Sequence, residues 1–158
     1  FGYFLQLNLN KFHTLKKRIK KNEGFSITPY RDSLGNLTIG YGHLIKKNET
    51  WLLEKKISKK KLINIFEKDF FVALDSYKKI YKQKKYQKNI EEVFIEMIFQ
   101  MGQKNQRSFI KMPQYINKKN LYLAALEMKN SLWYRQTPKR VDSLINVLLK
   151  KKYEKKRR

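Results

Sequence analysis

The sequence contains no cysteine, which excludes a disulfide framework and any zinc site built on thiolates. Long apolar runs are also missing, since no stretch approaches the ~20 apolar residues that span a bilayer. Proline is rare, and acidic side chains number only 13 against 37 lysines and arginines. The 41% of hydrophobic residues and the length of 158 nevertheless predict one globular domain with room for two lobes.

The formal net charge of +24 has two interpretations. It indicates either a polyanionic partner, such as nucleic acid, an anionic membrane or a cell wall, or a coding bias towards lysine. We favour coding bias as the larger contribution, because lysine supplies 30 of the 37 basic residues. Arginine, the better bidentate ligand of phosphate, is rare, and no aromatic platform for stacking bases is evident. Nucleic acid is therefore not expected as a partner.

The two ends of the chain carry separate expectations. The chain begins with Phe1 rather than methionine, which suggests a piece processed or excised from a longer product. Residues 1–9 are expected to form an N-terminal extension, and the basic tail from residue 150 onward is expected to fray. The intact mass of the natural protein tests the first idea, because a mature form starting one methionine before Phe1 would contradict it.

Hydrophobic periodicity predicts a mostly helical chain. Residues 11–22 read as a basic helix with Phe12, Leu15 and Ile19 on one face. A long helix is predicted from 58 to about 80, capped by Ser58. Its apolar stripe consists of Leu62, Phe66, Phe70, Ala73, Leu74 and Tyr77. Shorter helices are predicted over 89–101, 107–112, 120–130 and 139–152.

One stretch, NEGFSITPYRDSLGNLTIGYGH at residues 22–43, interrupts the lysine-rich pattern. It has no lysine, four of the six glycines and one of the two histidines. The turn signal SLGN between two extended segments predicts a β-hairpin, with Gly35 at positive φ. The pattern therefore predicts an α+β fold with a small β-containing lobe (23–57), a connecting helix (58–80) and a helical lobe (10–22 with 81–153).

The same stretch contains Glu23, Asp32 and Thr38. Two carboxylates facing a cleft are what glycoside hydrolysis needs, one to protonate the leaving oxygen and one to act on water. A threonine hydroxyl on a neighbouring strand suits the holding of that water. By spacing alone, however, a helix-ending glutamate, a turn aspartate and a strand threonine are the commoner explanation.

The full sequence of residues 22–43 is more specific evidence than its two acidic residues alone. The segments NEG, YRD and LGNLTIGYGH resemble the phage lysozymes of the T4 type, glycoside hydrolase family 24. Two later segments, MIFQMG at 97–102 and SLWYRQTPKR at 131–140, resemble the family's core helix and its tryptophan-containing segment. The resemblance covers roughly residues 12 to 150 in three ordered blocks, and it implies a lysozyme-like two-lobed fold in a single domain.

The resemblance also implies an activity and a site. Members of this family are muramidases that hydrolyse the β-1,4 bond between N-acetylmuramic acid and N-acetylglucosamine with inversion. Glu23 matches the general acid, Asp32 the carboxylate that directs the attacking water, and Thr38 the residue that helps to place it. Inverting enzymes hold their two carboxyls ~6.5–9.5 Å apart, so we expect that separation here. Substrate-binding positions carried over are Tyr30, Leu44, Phe99, Gln100 and Arg140.

Two of these expectations concern pairings. Arg140 matches a basic residue that pairs with the catalytic glutamate in the family. His43 is open to two interpretations, as a metal ligand or as part of the scaffold. With no cysteine and no second histidine nearby, we favour the scaffold, and the resemblance implies an ion pair with Asp69. No metal and no cofactor are expected.

The chain departs from the family pattern in two places. The segment between His43 and Asp69 is shorter than in the family type, so we expect a trimmed helix in the small lobe and altered outer sugar subsites. Tyr41 replaces a smaller aliphatic residue in the glycine run.

The setting of the activity stays open. The resemblance implies an endolysin that acts on peptidoglycan strands as a monomer without stable membrane insertion, in the periplasm or outside the cell. A phage product would first be made in the host cytoplasm. Alternatives are the same chemistry in a phage-tail or secreted toxin domain, or a cationic wall-binding or membrane-binding protein with an idle cleft.

Overall fold

The structure is a computed structural model that describes residues 11–54 and 56–150. The expectations for residues 1–9 and for the tail beyond 150 lie outside these ranges. In chain order the elements are α1 His13–Glu23, β1 Ser26–Arg31, β2 Leu37–Gly40, β3 His43–Leu44, a 3-10 helix Thr50–Leu53, α2 Lys59–Ile80, α3 Lys88–Arg107, α4 Lys111–Asn117, α5 Leu121–Lys129, α6 Leu132–Gln136 and α7 Pro138–Leu148. This mostly helical chain with a small antiparallel sheet confirms the predicted α+β class.

The chain divides into two compact units between Leu74 and Asp75, inside α2. The first unit holds α1, the sheet and most of α2, and the second holds the remaining helices. The predicted grouping of residues 10–22 with 81–153 concerns the arrangement of the units and stays a prediction.

In the first unit, α1 presents the predicted apolar face. Phe12, Leu15 and Ile19 are all buried, and the Phe12 ring lies 5.8 Å from that of Phe70 on α2. The helix ends at Glu23 because Gly24 turns away at φ +71, while its N–H still donates to the Lys20 carbonyl. The last side chain of α1 is therefore that of Glu23.

The sheet has the order β1-β2-β3, with both pairs antiparallel. Tyr30 pairs with Thr38 across β1 and β2, and Ile39 pairs with His43 across β2 and β3. The register between Ser26 and Tyr30 is irregular, in a segment where Pro29 has no N–H to donate. Ile39 on β2 belongs to a small buried core together with Leu52, Ile57 and Leu62.

The predictions of the β-hairpin and of the long helix α2 are both confirmed. The β1–β2 hairpin turns at the SLGN segment, and Gly35 adopts φ +82 as predicted, while Asn36 keeps a negative φ. Ser58 caps α2, because its Oγ accepts the Lys61 N–H at 3.2 Å. The predicted stripe along α2 is buried.

In the second unit, α3 and α7 supply most of the core. Val93, Phe94 and Met97 on α3 and Val141 and Leu144 on α7 are completely buried. Within residues 11–54 and 56–150, no helix is both long and apolar enough to cross a membrane.

In this unit one helix prediction is wrong and one short helix was missed. The helix predicted at 107–112 is wrong, because α3 continues to Arg107 past a kink at Gly102 (φ +82) and α4 begins only at Lys111. A five-residue helix, α6, was not predicted. Its signal was Ser131, whose side chain accepts the Tyr134 N–H at 3.0 Å as an N-cap.

Candidate active site

The carboxylate of Glu23 packs directly on the backbone of Gly42. A Cβ added to Gly42 would lie 2.9 Å from Cδ of Glu23, and closer still to its Oε2. Gly42 also has φ +73, which side-chain-bearing residues rarely adopt. The Glu23 carboxylate therefore takes the space that a side chain at position 42 would need.

Thr38 lies at the centre of the sheet and is only 2% exposed. Its Oγ1 donates to the Asn36 carbonyl at 3.0 Å, and the same carbonyl accepts the Asp32 N–H at 2.9 Å. One acceptor therefore ties the Thr38 hydroxyl to the backbone of Asp32. The lone pairs of Oγ1 can still accept a hydrogen from water.

The carboxylate of Asp32 is fixed by the hairpin turn. Its Oδ1 accepts the Leu34 N–H at 2.9 Å and the Asn36 N–H at 2.8 Å. This is the turn-forming role that aspartate often takes at the start of a turn. Because two backbone donors hold one oxygen, the orientation of the carboxylate is set by the turn.

Tyr30 connects these groups electrostatically. Burial raises the pKa of the Tyr30 hydroxyl, and the charges of Glu23 and Asp32 raise it further. Both carboxylates therefore lie close enough to act on one phenol. Since Tyr30 also pairs with Thr38, the structure groups four of the predicted site residues within the first unit.

His43 is held by two carboxylates. Its Nδ1 lies 2.7 Å from Asp69 Oδ2, as the predicted ion pair requires, and its Nε2 lies 2.8 Å from Glu49 Oε2. Glu49 Oε2 also accepts the Lys46 N–H at 3.0 Å. His43 itself is 7% exposed, so both ring nitrogens are committed to buried or half-buried partners.

These contacts shift two pKa values in opposite directions. The hydrogen bond to Asp69 raises the pKa of His43; burial opposes this, but the contact with Glu49 adds to it. Burial alone would raise the pKa of Glu49, yet hydrogen bonds from the Lys46 N–H and from His43 lower it. The His43 contribution to stability is complete below its unfolded pKa of 6.5, and that of Glu49 above its unfolded value of 4.5. The cluster therefore stabilises the fold most between these two values.

We expect Asp69→Asn to lower the free energy of unfolding at pH 5.5 by about 1.5–3 kcal/mol, the range of hydrogen bonds to charged groups. Because the pKa of His43 is raised in the folded state, the loss should be full below pH 6.5 and shrink as pH rises through that folded value. Urea unfolding of wild type and variant from pH 5 to 9 measures the difference.

A matched control lies on the same helix. Asp75 forms an exposed i,i+4 pair with Lys79 at 2.8 Å, so Asp75→Asn should change stability by at most about 0.5 kcal/mol at any of these pH values. Equal unfolding curves for Asp69→Asn and wild type at pH 5.5 would refute the stabilising role of the pair. Catalysis should survive both substitutions.

The remaining predicted site residues belong mostly to the second unit. Gln100 accepts the Trp133 Nε1–H at 2.8 Å and donates to Thr137 Oγ1 at 3.2 Å. Both ends of its amide are therefore oriented by α6 and the start of α7, and Trp133 is a buried core residue. Phe99 is half-buried on α3, and Leu44, in the first unit, is exposed on β3.

Arg140 lies beside a buried acid. Its Nε is 3.8 Å from Oε2 of Glu96, which is fully buried on α3. The expected pairing of Arg140 with Glu23 stays a prediction. Within the part of the chain that the structure describes, no group of His, Asp and Glu side chains is arranged to hold a metal ion.

Two acids in these contacts were missed by sequence reasoning. Glu96 lies four residues before Gln100, a spacing that places both on one face of a helix, so a signal existed. Glu49 lies six residues after His43 in a turn, and no periodicity links them. Only the fold brings Glu49 to the imidazole.

Comparison with known proteins gives a consistent result. The family model described as phage lysozyme matches residues 20–153. Two similar curated proteins come from Dictyostelium discoideum: "Probable T4-type lysozyme 2" is 35% identical, over 85% of this chain and 92% of its own length. "Probable T4-type lysozyme 1" is 34% identical, over 85% of this chain and 93% of its own.

The match spans both units and includes every predicted site residue. With the fold, it defines the class of protein as a glycoside hydrolase that acts as a lysozyme. The chain belongs to the phage lysozyme family. The resemblance stated from the motifs is thereby confirmed, while the roles of individual residues stay predictions.

Proposed function

We propose that this lysozyme cleaves the β-1,4 bond between N-acetylmuramic acid and N-acetylglucosamine in peptidoglycan by a single inverting displacement. Glu23 protonates the glycosidic oxygen, which leaves as the 4-hydroxyl of N-acetylglucosamine. Asp32 accepts a proton from the water that attacks the anomeric carbon of N-acetylmuramic acid. The product is a muramic acid reducing end in the α configuration.

The grouping of Glu23, Asp32 and Thr38 around Tyr30 carries this proposal. After burial, the charges of both carboxylates raise the pKa of Tyr30, and Thr38 lies opposite Tyr30 in the sheet. The Thr38 hydroxyl and the Asp32 backbone N–H donate to the same Asn36 carbonyl, so the two residues are adjacent and a water bound by Thr38 would lie near the proposed base. In the proposed inverting reaction Asp32 and Thr38 act on the attacking water, and the separation of ~6.5–9.5 Å between the two carboxyls stays a prediction.

The second unit supplies the other proposed contacts. Phe99, Gln100 and Arg140 carry over as substrate-binding residues, with Leu44 from the first unit. Gln100 suits the task because Trp133 and Thr137 fix its amide, so it would lose little side-chain freedom on binding sugar. Arg140 has a buried carboxylate beside it, since its Nε lies 3.8 Å from Oε2 of Glu96.

Digestion of purified peptidoglycan tests the proposal. Borohydride reduction of the digest labels each new reducing end, and we expect reduced muramic acid rather than reduced glucosamine. Proton NMR of a soluble glycan oligomer, recorded early in the reaction, should show the α-anomer first. New glucosamine ends would contradict the bond assignment, and a β-anomer appearing first would contradict inversion.

The biological setting is a separate part of the proposal. We propose a wall-lysing enzyme that acts as a monomer in the periplasm or outside the cell, whether released as an endolysin or delivered by a phage tail or a secreted toxin. The +24 charge would strengthen adsorption to an anionic wall. Raising the salt concentration should therefore weaken wall binding more than it slows cleavage of a short soluble glycan oligomer, which carries far fewer charges than the wall.

A further inference from the structure

We infer that Glu49 is a positioning residue for the general acid, acting through His43 on the backbone of Gly42. The inference rests on the proposed function, because it takes Glu23 as that acid. Glu49 lies outside the three motif blocks, in the turn before the 3-10 helix, and its contacts alone point to the role.

The first step concerns the Gly42 backbone, which lies beside the carboxyl group of the proposed acid. The Gly42 backbone is so close to the Glu23 carboxylate that no Cβ fits between them. Backbone at this distance excludes water from one face of the carboxyl group. A carboxyl group with less water around it keeps its proton to higher pH, as a general acid must. A small outward movement of Gly42 would admit water to this face.

The second step concerns what holds Gly42 in place. The segment that follows it, β3, has only two residues, His43 and Leu44. So short a strand makes few hydrogen bonds with β2, and Gly42 itself has no side chain to anchor it. The neighbouring side chains anchor this backbone on both sides. The Tyr41 ring packs against the rings of Phe25 and Phe66, and the His43 side chain is held by ion pairs with two carboxylates.

The third step concerns the two carboxylates that hold the His43 ring, a pair of contacts that we call the clamp. Asp69 from α2 holds Nδ1 of His43, and Glu49 holds Nε2 while also accepting the Lys46 N–H. One carboxylate alone would leave the ring free to pivot about Nδ1. With Glu49 present, the ring is fixed at both nitrogens and tied to the turn at residues 46–49.

Charged groups face both His43 and the proposed catalytic carboxylates. Asp69 from α2 and Glu49 with Lys46 from the turn face His43. The Tyr30 phenol on β1 lies near Glu23 and Asp32, whose charges raise its pKa beyond the effect of burial. Among the residues that the structure describes, Glu49 hydrogen-bonds to the His43 ring and the Lys46 N–H, so its effect on the acid is transmitted through His43.

Three substitutions of Glu49 separate geometry from charge. Glu49→Ala removes the clamp, and Glu49→Asp keeps the charge but shortens the reach. Glu49→Gln keeps an oxygen that can accept from both the His43 ring and the Lys46 N–H. We expect the alkaline limb of the pH profile of kcat to move down by about one pH unit in the Ala and Asp variants. It should stay near wild type in Glu49→Gln.

Kinetics on a soluble glycan oligomer should likewise separate the Ala and Asp variants of Glu49 from wild type. At pH 7, kcat should fall about tenfold in Glu49→Ala and Glu49→Asp, while KM changes less, because the acid is displaced and the sugar contacts are not. Asp75→Ala, which removes an exposed acid, should match wild type in both. If Glu49→Ala does not fold, Glu49→Asp carries the test.

The outcomes are distinguishable. Wild-type alkaline limbs in folded Ala and Asp variants would overturn the inference, since the clamp would then have no effect on the acid. A limb that moves as far in Glu49→Gln as in Glu49→Ala would also overturn it, because the effect would be one of charge. Failure of the proposed function would appear elsewhere, as wild-type rates in Glu23→Gln.

Discussion

Glu23→Gln should reduce peptidoglycan hydrolysis by about 10³-fold while leaving the fold intact. The carboxamide is nearly isosteric with the carboxyl group, so it fits against Gly42 in the same space. It has no proton to give to the leaving oxygen, and a positioned general acid is worth roughly 10²–10⁴ in rate. Release of reducing ends from purified peptidoglycan, followed together with turbidity, measures the loss.

Glu54→Gln is the matched control, because it makes the same change at an exposed glutamate of the first unit. It should hydrolyse at the wild-type rate. Asp32→Asn should resemble Glu23→Gln, since its amide cannot accept a proton from water. If Glu23→Gln clears the wall as fast as wild type, the catalytic assignment is wrong. If it kills cells as well as wild type does without releasing sugar ends, the cationic alternative gains support.

Gly42→Ala should cost both stability and activity. Alanine at φ +73 is strained by about 1–2 kcal/mol, and its methyl group would occupy the place of the Glu23 carboxylate. The carboxylate must then move, and a displacement of about 1 Å in a reacting group can cost ~10²-fold in rate. Urea unfolding and initial rates of hydrolysis measure the two effects.

Gly102→Ala separates the backbone strain from the crowding of Glu23. Gly102 has φ +82 with nothing within 4 Å of an added Cβ, so it carries the backbone strain without the crowding. Both variants should lose stability, but only Gly42→Ala should lose activity. Equal activity in the two would show that the contact between Gly42 and Glu23 has no catalytic consequence.

The parts of the fold that the sequence predicted are those with local causes. The long helix α2 follows from an apolar stripe that repeats over 22 residues, and the hairpin follows from the turn residues around Gly35. The short elements β3 and α6 were not foreseen, because two to five residues are too few to establish a period. The predicted end of the helix at residue 101 coincides with the kink at Gly102, whereas the helical segment that continues to Arg107 was not foreseen.

The site residues also divide into those that the sequence predicted and those that only the fold brings together. Glu23, Asp32 and Thr38 were found from a motif, which preserves order and spacing along the chain. The packing of Glu23 on Gly42 and the second carboxylate on His43 join a helix end or a turn to the sheet, and no spacing rule encodes such contacts. These tertiary contacts explain why the motif needs glycine and histidine at its end.

The hydrogen bonds of Asp32 have an evolutionary consequence. Its Oδ1 builds the hairpin turn, whereas the proposed chemistry needs the negative charge of the whole carboxylate. Asparagine retains an oxygen able to accept the same two backbone donors, so it would preserve the turn and remove the base. A descendant of this chain could therefore abandon catalysis through one substitution without losing its fold. Asparagine at this position, beside an intact Gly42, would mark a relative that retains the scaffold for another purpose.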